Sequence, residues 1–387
     1  MKKACLYIAI VCVCIYLIPI VAIYSSEGDK IMELKQSKYP TKAILDNVPR
    51  IGYDSHLCPF PGSLYAYLEY VKEPNDYDYI MGVTGAAFRR IWNKDDGGNV
   101  DLSYLGETPF KHIFDALGYE YQTIPTEKEA MINAIKESIN KGRPVISFGI
   151  IGPPEAGLVT GYDQDGKVLY GWSYFQEGKD KYYEKSDWFE TMDKNAGKGL
   201  IVIGDKIPRP SDREIFIVAL KWAIDLERTA KRPNLPNHIC GLPAYEAWAS
   251  GLEADSDYPK DDPKILETRA MVHGDQCAML DERFSAANFL RSMTKIAPEA
   301  LKQLESAAKL YDEIASQGQY LWHWGSPMDP ETGKALADPD TRKEMAKHIR
   351  IAGEKEAQAV EYLEKVLAIL TKEKEERVID KDATNAQ

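Results

Sequence analysis

GRPVISFGIIGPPEAGLVTGYDQDGKVLYGW, residues 142–172, decides how this 387-residue chain is read. Pro144–Ile151, Gly157–Tyr162 and Lys167–Trp172 are short runs of Val, Ile, Leu and aromatic residues punctuated by Gly and Pro, a pattern that predicts strands. Asp163-Gln164-Asp165-Gly166 joins the second run to the third and supplies the residues that a hairpin turn needs. A further strand is predicted at Leu200–Gly204. Upstream, Gly62–Val71, Thr84–Trp92, Pro109–Leu117 and Glu127–Asn140 read as helices, the last ended by Gly142. Helices followed by an antiparallel meander predict an α+β domain over residues 49–207 rather than βαβ winding.

Pro208-Arg209-Pro210 ends that domain. Ser211-Asp-Arg-Glu214 is a capping box, and its helix places Ile215, Val218, Ala219, Trp222 and Leu226 on one stripe before stopping short of Pro233. Helical patterning recurs at Leu242–Ser250, Pro263–Ser292 and Pro298–Gln317. It resumes at Asp338-Pro339, an N-cap followed by proline, and includes a late stripe of Val360, Leu363, Val366, Leu367 and Leu370. Residues 208–375 therefore read as an all-α domain, and residues 376–387 as a disordered tail.

The N-terminus is of a different kind. After Lys2 and Lys3, Ala4–Tyr24 carries no charge, and as a helix it is long enough to cross a bilayer core. Residues 1–26 are expected to be a membrane anchor or a signal peptide. The basic residues before the stretch put the rest of the chain outside, anchored or, if cleaved, secreted. Residues 27–48 form a tether.

The formal net charge is −12. No Lys/Arg cluster interleaved with aromatics is present to neutralise phosphates, so a nucleic-acid partner is not expected. Of six cysteines, Cys5, Cys12 and Cys14 lie in the hydrophobic stretch, leaving Cys58, Cys240 and Cys277, an odd number that is no disulfide scaffold. Cys58, in Asp54-Ser-His-Leu-Cys58-Pro, stands just before a helical pattern. Free N–H groups and the macrodipole at a helix start favour a thiolate; a small buried hydrophobe is the alternative.

Taken together, the Cys58 segment and residues 142–172 resemble the papain-like fold, specifically the C39-like peptidases and the N-terminal domain of the butirosin-biosynthesis protein BtrH, over roughly residues 50–205. Those proteins place a cysteine at the head of the first helix, then a G-(K/R)-P-V-I strand, then H-x-x-x-V-x-G-Y-D-x-x-G, whose histidine is the general base. The resemblance implies acyl transfer or amide/thioester hydrolysis through Cys58, on a small-molecule, peptide or acyl substrate and without a cofactor. The histidine position falls at Glu155, or at Ala156 with a one-residue slip. A carboxylate is a weak base towards a thiol unless burial raises its pKa. His56 is the nearest substitute. Tyr162 and Trp172 are expected to line the same cleft. A catalytically silent binding protein and a structural surface protein are the alternatives.

Asn237-His238-Ile-Cys240 and His273-Gly-Asp-Gln-Cys277 each pair a His with a Cys. On a helix, His273 and Cys277 share a face, yet the spacing fits no familiar zinc pattern, and no metal is expected. A Cys240–Cys277 disulfide and separate structural roles both remain open. Trp322-His323-Trp324, in a loop-like stretch, reads as packing for an inter-domain seam or as pocket lining.

Overall fold

The structure, a computed structural model, describes residues 38–74, 76–96, 102–195, 197–324 and 330–384. The hydrophobic stretch Ala4–Tyr24 lies outside the described residues. Among those described, no helix is long and apolar enough to cross a membrane.

The chain opens with β1 (Ala43–Ile44), α1 (Pro59–Tyr70) and α2 (Tyr77–Thr84). Then come β2 (Ile91–Trp92), α3 (Thr108–Leu117), β3 (Tyr119–Ile124), α4 (Lys128–Asn140) and β4 (Val145–Phe148). The central strands are β5 (Ala156–Asp163), β6 (Val168–Trp172) and β7 (Tyr183–Lys185), followed by the short α5 (Trp188–Thr191) and β8 (Leu200–Lys206). The rest is helical apart from β9 (Ile239–Cys240): α6 (Asp212–Arg228), α7 (Pro243–Glu253), α8 (Pro263–Asp281), α9 (Arg283–Ser292), α10 (Leu301–Trp322), α11 (Pro330–Ala337) and α12 (Pro339–Thr384). The α+β class and the helical C-terminal region are as the sequence predicts.

The main sheet runs β3-β8-β4-β5-β6-β7, with β1 on β5, and all its pairings are antiparallel. Gln164, Asp165 and Gly166 all take positive φ in the β5–β6 turn, as that tetrapeptide predicts. The sheet is covered on both faces. Ile146, Phe148, Leu158 and Ile201 meet Phe60 and Leu64 of α1 and Phe110 and Phe114 of α3. Val145, Val159 and Leu200 meet Met131, Ile135 and Ile139 of α4. Burial on both faces is why these strands read as near-continuous apolar runs.

Four helical expectations need correction. Thr84–Trp92 is not a helix: α2 ends at Thr84, because Gly85 is left-handed with φ +80° and a Cβ there would meet Trp222. The chain then passes through a 3-10 turn, Ala86–Phe88, into β2. Val218 lies off the buried stripe of α6 and is 43% exposed, whereas Phe216, Leu220 and Ala223 join it. Pro263–Ser292 breaks into two helices at Glu282. Trp322 ends a helix and does not stand in a loop. The Ser211/Glu214 capping box forms as read. Asp338 accepts the Thr341 N–H at 2.9 Å, and α12 continues to Thr384.

Tyr39–Gln387 forms one compact unit. A single core takes in Phe60 and Phe110 beside the sheet and Trp222, Phe289 and Tyr311 among the helices. β2 pairs with β9 through Ile91–Cys240 and Trp92–Ile239. Gly82 of α2 lies so close to Phe289 of α9 that a Cβ would sit 2.2 Å from the ring.

Arg283 stands where these parts meet, fully buried. It donates to the carbonyls of Ala87 and Arg89 at 3.0 Å and to that of Phe88 at 3.3 Å, and pairs with Glu227 at 3.1 Å and Glu356 at 3.0 Å. Burial, and then the charge of Glu356, push the Glu227 carboxyl well above its ordinary range. Removing one partner of a buried ion cluster strands the others. Arg283→Met is expected to cost about 3–5 kcal/mol in urea unfolding. Adding Glu227→Gln and Glu356→Gln should recover most of that. A single-variant cost below about 1 kcal/mol would show that the cluster is dispensable.

Candidate functional site

Pro59 occupies the first position of α1, so Cys58 is its N-cap, with φ −94° and ψ 116°. Proline at that position costs no hydrogen bond, and the helix therefore begins three residues earlier than the apolar pattern indicates. Cys58 is 1% exposed. Its backbone N–H donates to the Tyr77 hydroxyl at 3.2 Å. No disulfide joins Cys58, Cys240 or Cys277 among the described residues.

Two tyrosines, Tyr77 and Tyr174, stand at the head of α1, and the charge of Cys58 also acts on Arg89. Tyr174, in the loop after β6, aims its hydroxyl at the first turn of α1: a Cβ on Gly62 would lie 2.0 Å from that oxygen. This hydroxyl is buried and has no hydrogen-bond partner among the described residues. Burial, and then the charges of Cys58 and Glu155, hold it well above the usual phenol range, so it stays protonated. Tyr77 is raised likewise, by burial and then by Cys58 and Glu282. Arg89, 1% exposed, donates to the Ala86 carbonyl at 2.6 Å and pairs with buried Glu282 at 2.8 Å. Burial works against its charge, but Cys58 first and Glu282 second hold the guanidinium up.

His56 packs among aromatic rings. Its ring packs on Tyr77 at 4.2 Å and on Tyr65 at 4.9 Å, and burial lowers its pKa despite Asp78 and Glu69. Glu155 is 7% exposed and accepts the Tyr53 hydroxyl at 3.0 Å. Tyr53 in turn meets Tyr174 at 4.8 Å and Phe175 at 5.7 Å, edge on. Glu155 and Cys58 thus both act on Tyr174, and Tyr53 and Phe175 form its outer cover.

Of the two remaining cleft expectations, Tyr162 falls elsewhere, whereas Trp172 lines a small cavity with Glu155. A bulge in the β5–β6 pairing between Val159 and Gly161 reverses the alternation, and Tyr162 joins the α4 side of the sheet. Its hydroxyl accepts from Asn140 at 2.8 Å and donates to the Pro40 carbonyl at 2.9 Å. Trp172 lies on the α1 side, but its indole N–H is spent on the Val48 carbonyl at 2.9 Å. Arg89, Glu282 and Tyr174 were not singled out from the sequence; no motif marks them, and Arg89 and Glu282 are 193 residues apart.

The His/Cys pairs do not converge. His238 faces Asp96 at 3.1 Å. His273 Nε2 lies 3.5 Å from Cys277 Sγ, both buried in α8. Among the described residues no group of three or more His, Cys, Asp or Glu side chains could hold a metal ion. Trp322 and Trp324 pack partly buried against the main core. No family model matches the chain, and no curated protein matches it.

Burial lowers the His273 pKa from 6.5 to about 4. A depressed folded pKa contributes stability above pH 6.5 that is lost as pH falls towards 4. From pH 7 to pH 5 the wild type should therefore lose about 2 kcal/mol more than His273→Leu in urea unfolding. Equal losses would mean that His273 is solvated or charge-paired.

Proposed function

We propose that this protein is a thiol-dependent acyltransferase or hydrolase built on a papain-like, C39/BtrH-like scaffold, with Cys58 as nucleophile. The observation that carries the reading is the buried, unpartnered Tyr174 hydroxyl aimed at the helix turn that Cys58 caps. Unsatisfied buried donors are rare unless something else uses them. A hydroxyl kept protonated beside a thiolate can donate to an oxyanion as it forms.

The thiolate attacks the carbonyl carbon of the donor. A carbon–sulfur bond forms, the negative charge moves to the carbonyl oxygen beside Tyr174, and collapse expels the leaving group. An amine would have to leave with a proton, which neither His56 nor a guanidinium delivers here. A thiol leaves as thiolate, its ordinary pKa being about 8.5. Thioester donors are therefore favoured over amides. In the second half-reaction an amine or water attacks the Cys58 thioester, Glu155 takes the acceptor's proton, and the carbon–sulfur bond breaks to release the acyl product and the Cys58 thiolate. Access requires Tyr53 and Phe175 to swing out; they are 45% and 37% exposed. With Ala4–Tyr24 as an anchor, the site would face the outer side of the membrane.

A silent binding protein is the second reading, favoured by the near-complete burial of Cys58. Intact-mass measurement after incubation with a small alkyl thioester separates the two. One acyl group per chain, absent in Cys58→Ser and released by hydroxylamine, is the expected result. Glu155→Gln should still acylate but release the acyl group more slowly. An unmodified Cys58 after prolonged incubation would transfer the case to the binding reading.

A further inference from the structure

We infer that a second site, which Cys58 does not line, binds an apolar α-amino acid in the cavity between α1, α2, the end of α3 and the linker after β8. The cavity holds about 330 Å³, at the lower end of the range for small-molecule sites. Leu68, Tyr79, Ile80, Ala116 and Leu117 give it an apolar lining, and Glu73, Asp76, Lys206 and Arg209 add charge.

Helix ends assemble this cavity. α1 stops in a Schellman turn: the Glu73 N–H donates to the Leu68 carbonyl at 3.0 Å and the Lys72 N–H to that of Glu69 at 3.2 Å. The left-handed position of such a turn ordinarily takes glycine, but here Lys72 holds it, with φ +61°. The turn carries Glu73 to Lys206 at the end of β8, 2.8 Å away. α3 ends at Gly118, left-handed with φ +67°, where a Cβ would lie 2.7 Å from the Ile207 carbonyl oxygen. That close approach lets Arg209 donate to the Ala116 carbonyl at 2.8 Å and Lys206 to that of Leu117 at 3.4 Å. Cations at the carbonyl end of a helix are favoured. Pro208-Arg209-Pro210, a domain boundary in the sequence, thus contributes to a wall. Asp76 caps α2, accepting the N–H groups of Asp78 at 2.9 Å and Tyr79 at 3.2 Å through one oxygen.

The charges decide the class of ligand. Lys206 is matched by Glu73 and Arg209 by Asp212, and the lining carries two groups of each sign. A simple anion or cation is attracted by one of these groups and repelled by its neighbour. Glu73 and Lys206 stand side by side, as the ammonium and carboxylate of an α-amino acid do. Pairing head to tail sets the ligand carboxylate on Lys206 and Arg209 and its ammonium on Glu73 and Asp76, with charge-assisted hydrogen bonds at both ends. The ligand side chain then lies against Leu68, Ile80 and Ala116, all buried. Burial raises the Tyr79 phenol above its ordinary range despite the opposing charge of Arg209, so this ring stays neutral. A polar side chain would lose its water on such a floor and gain no partner.

Isothermal titration calorimetry of the full chain with L-leucine and L-phenylalanine tests the site. Saturable binding of at least one of them is expected. 4-Methylpentanoate is leucine without its ammonium, and 3-methylbutylamine is leucine without its carboxylate; each should bind about tenfold more weakly or worse. Glycine, with no side chain to bury, should also be weaker by about tenfold or more. Glu73→Gln, at a half-buried position, should weaken leucine by about tenfold yet leave 4-methylpentanoate unchanged or tighter, because Lys206 loses its competing carboxylate. A merely structural ion pair would weaken both ligands alike. Ala116→Leu fills the floor and should abolish leucine binding. Binding of neither amino acid overturns the site, as does unchanged leucine affinity in an Ala116→Leu protein that folds by circular dichroism. An analogue or glycine that binds as tightly as leucine overturns the ligand class. Should Ala116→Leu not fold, unchanged leucine affinity in Glu73→Gln overturns the site equally.

Discussion

The grip of Arg283 on three successive carbonyls, those of Ala87, Phe88 and Arg89, is the interaction on which the rest of this structure depends. The segment it holds has no regular structure to supply its own hydrogen bonds: a left-handed Gly85, one 3-10 turn, then a two-residue strand. Buried carbonyls need donors, and one guanidinium from the start of α9 provides them. Its charge is met by Glu227 of α6 and Glu356 of α12. Four parts of the chain, distant in sequence, are thereby drawn to one point.

Fixing that backbone also fixes Arg89 and Arg90. Arg90 turns towards Gln276, Tyr245 and Trp248 in the helical region, whereas Arg89 turns towards Glu282. Burying so many ions gives little net stability by itself, since desolvation offsets most of the attraction. What such a cluster can provide is a single arrangement of charges in a low-dielectric interior, where electrostatic effects on a nearby thiol are large.

Local signals made much of the fold legible from sequence. The Asp163–Gly166 turn, the Ser211/Glu214 capping box and the Asp338-Pro339 helix start depend on neighbours a few residues away, and all three form as read. Cys58 at a helix head was legible for the same reason. Longer-range effects were not. The helix expected over Thr84–Trp92 fails because Gly85 packs on Trp222, 137 positions away in the chain. Tyr162 leaves the expected cleft because one bulge reverses the strand's alternation. Arg89 and Glu282 meet only through tertiary packing, so no spacing could reveal them.

If sheet and helices are joined through this buried cluster, they must melt together. Differential scanning calorimetry of the chain from Lys38 onward tests that most directly. The account predicts one transition, with calorimetric and van't Hoff enthalpies in agreement. Two separable transitions, one for the sheet with α1–α4 and one for α6–α12, would contradict it, because the Arg283 cluster could not then join the Ala87–Arg89 segment to the helices.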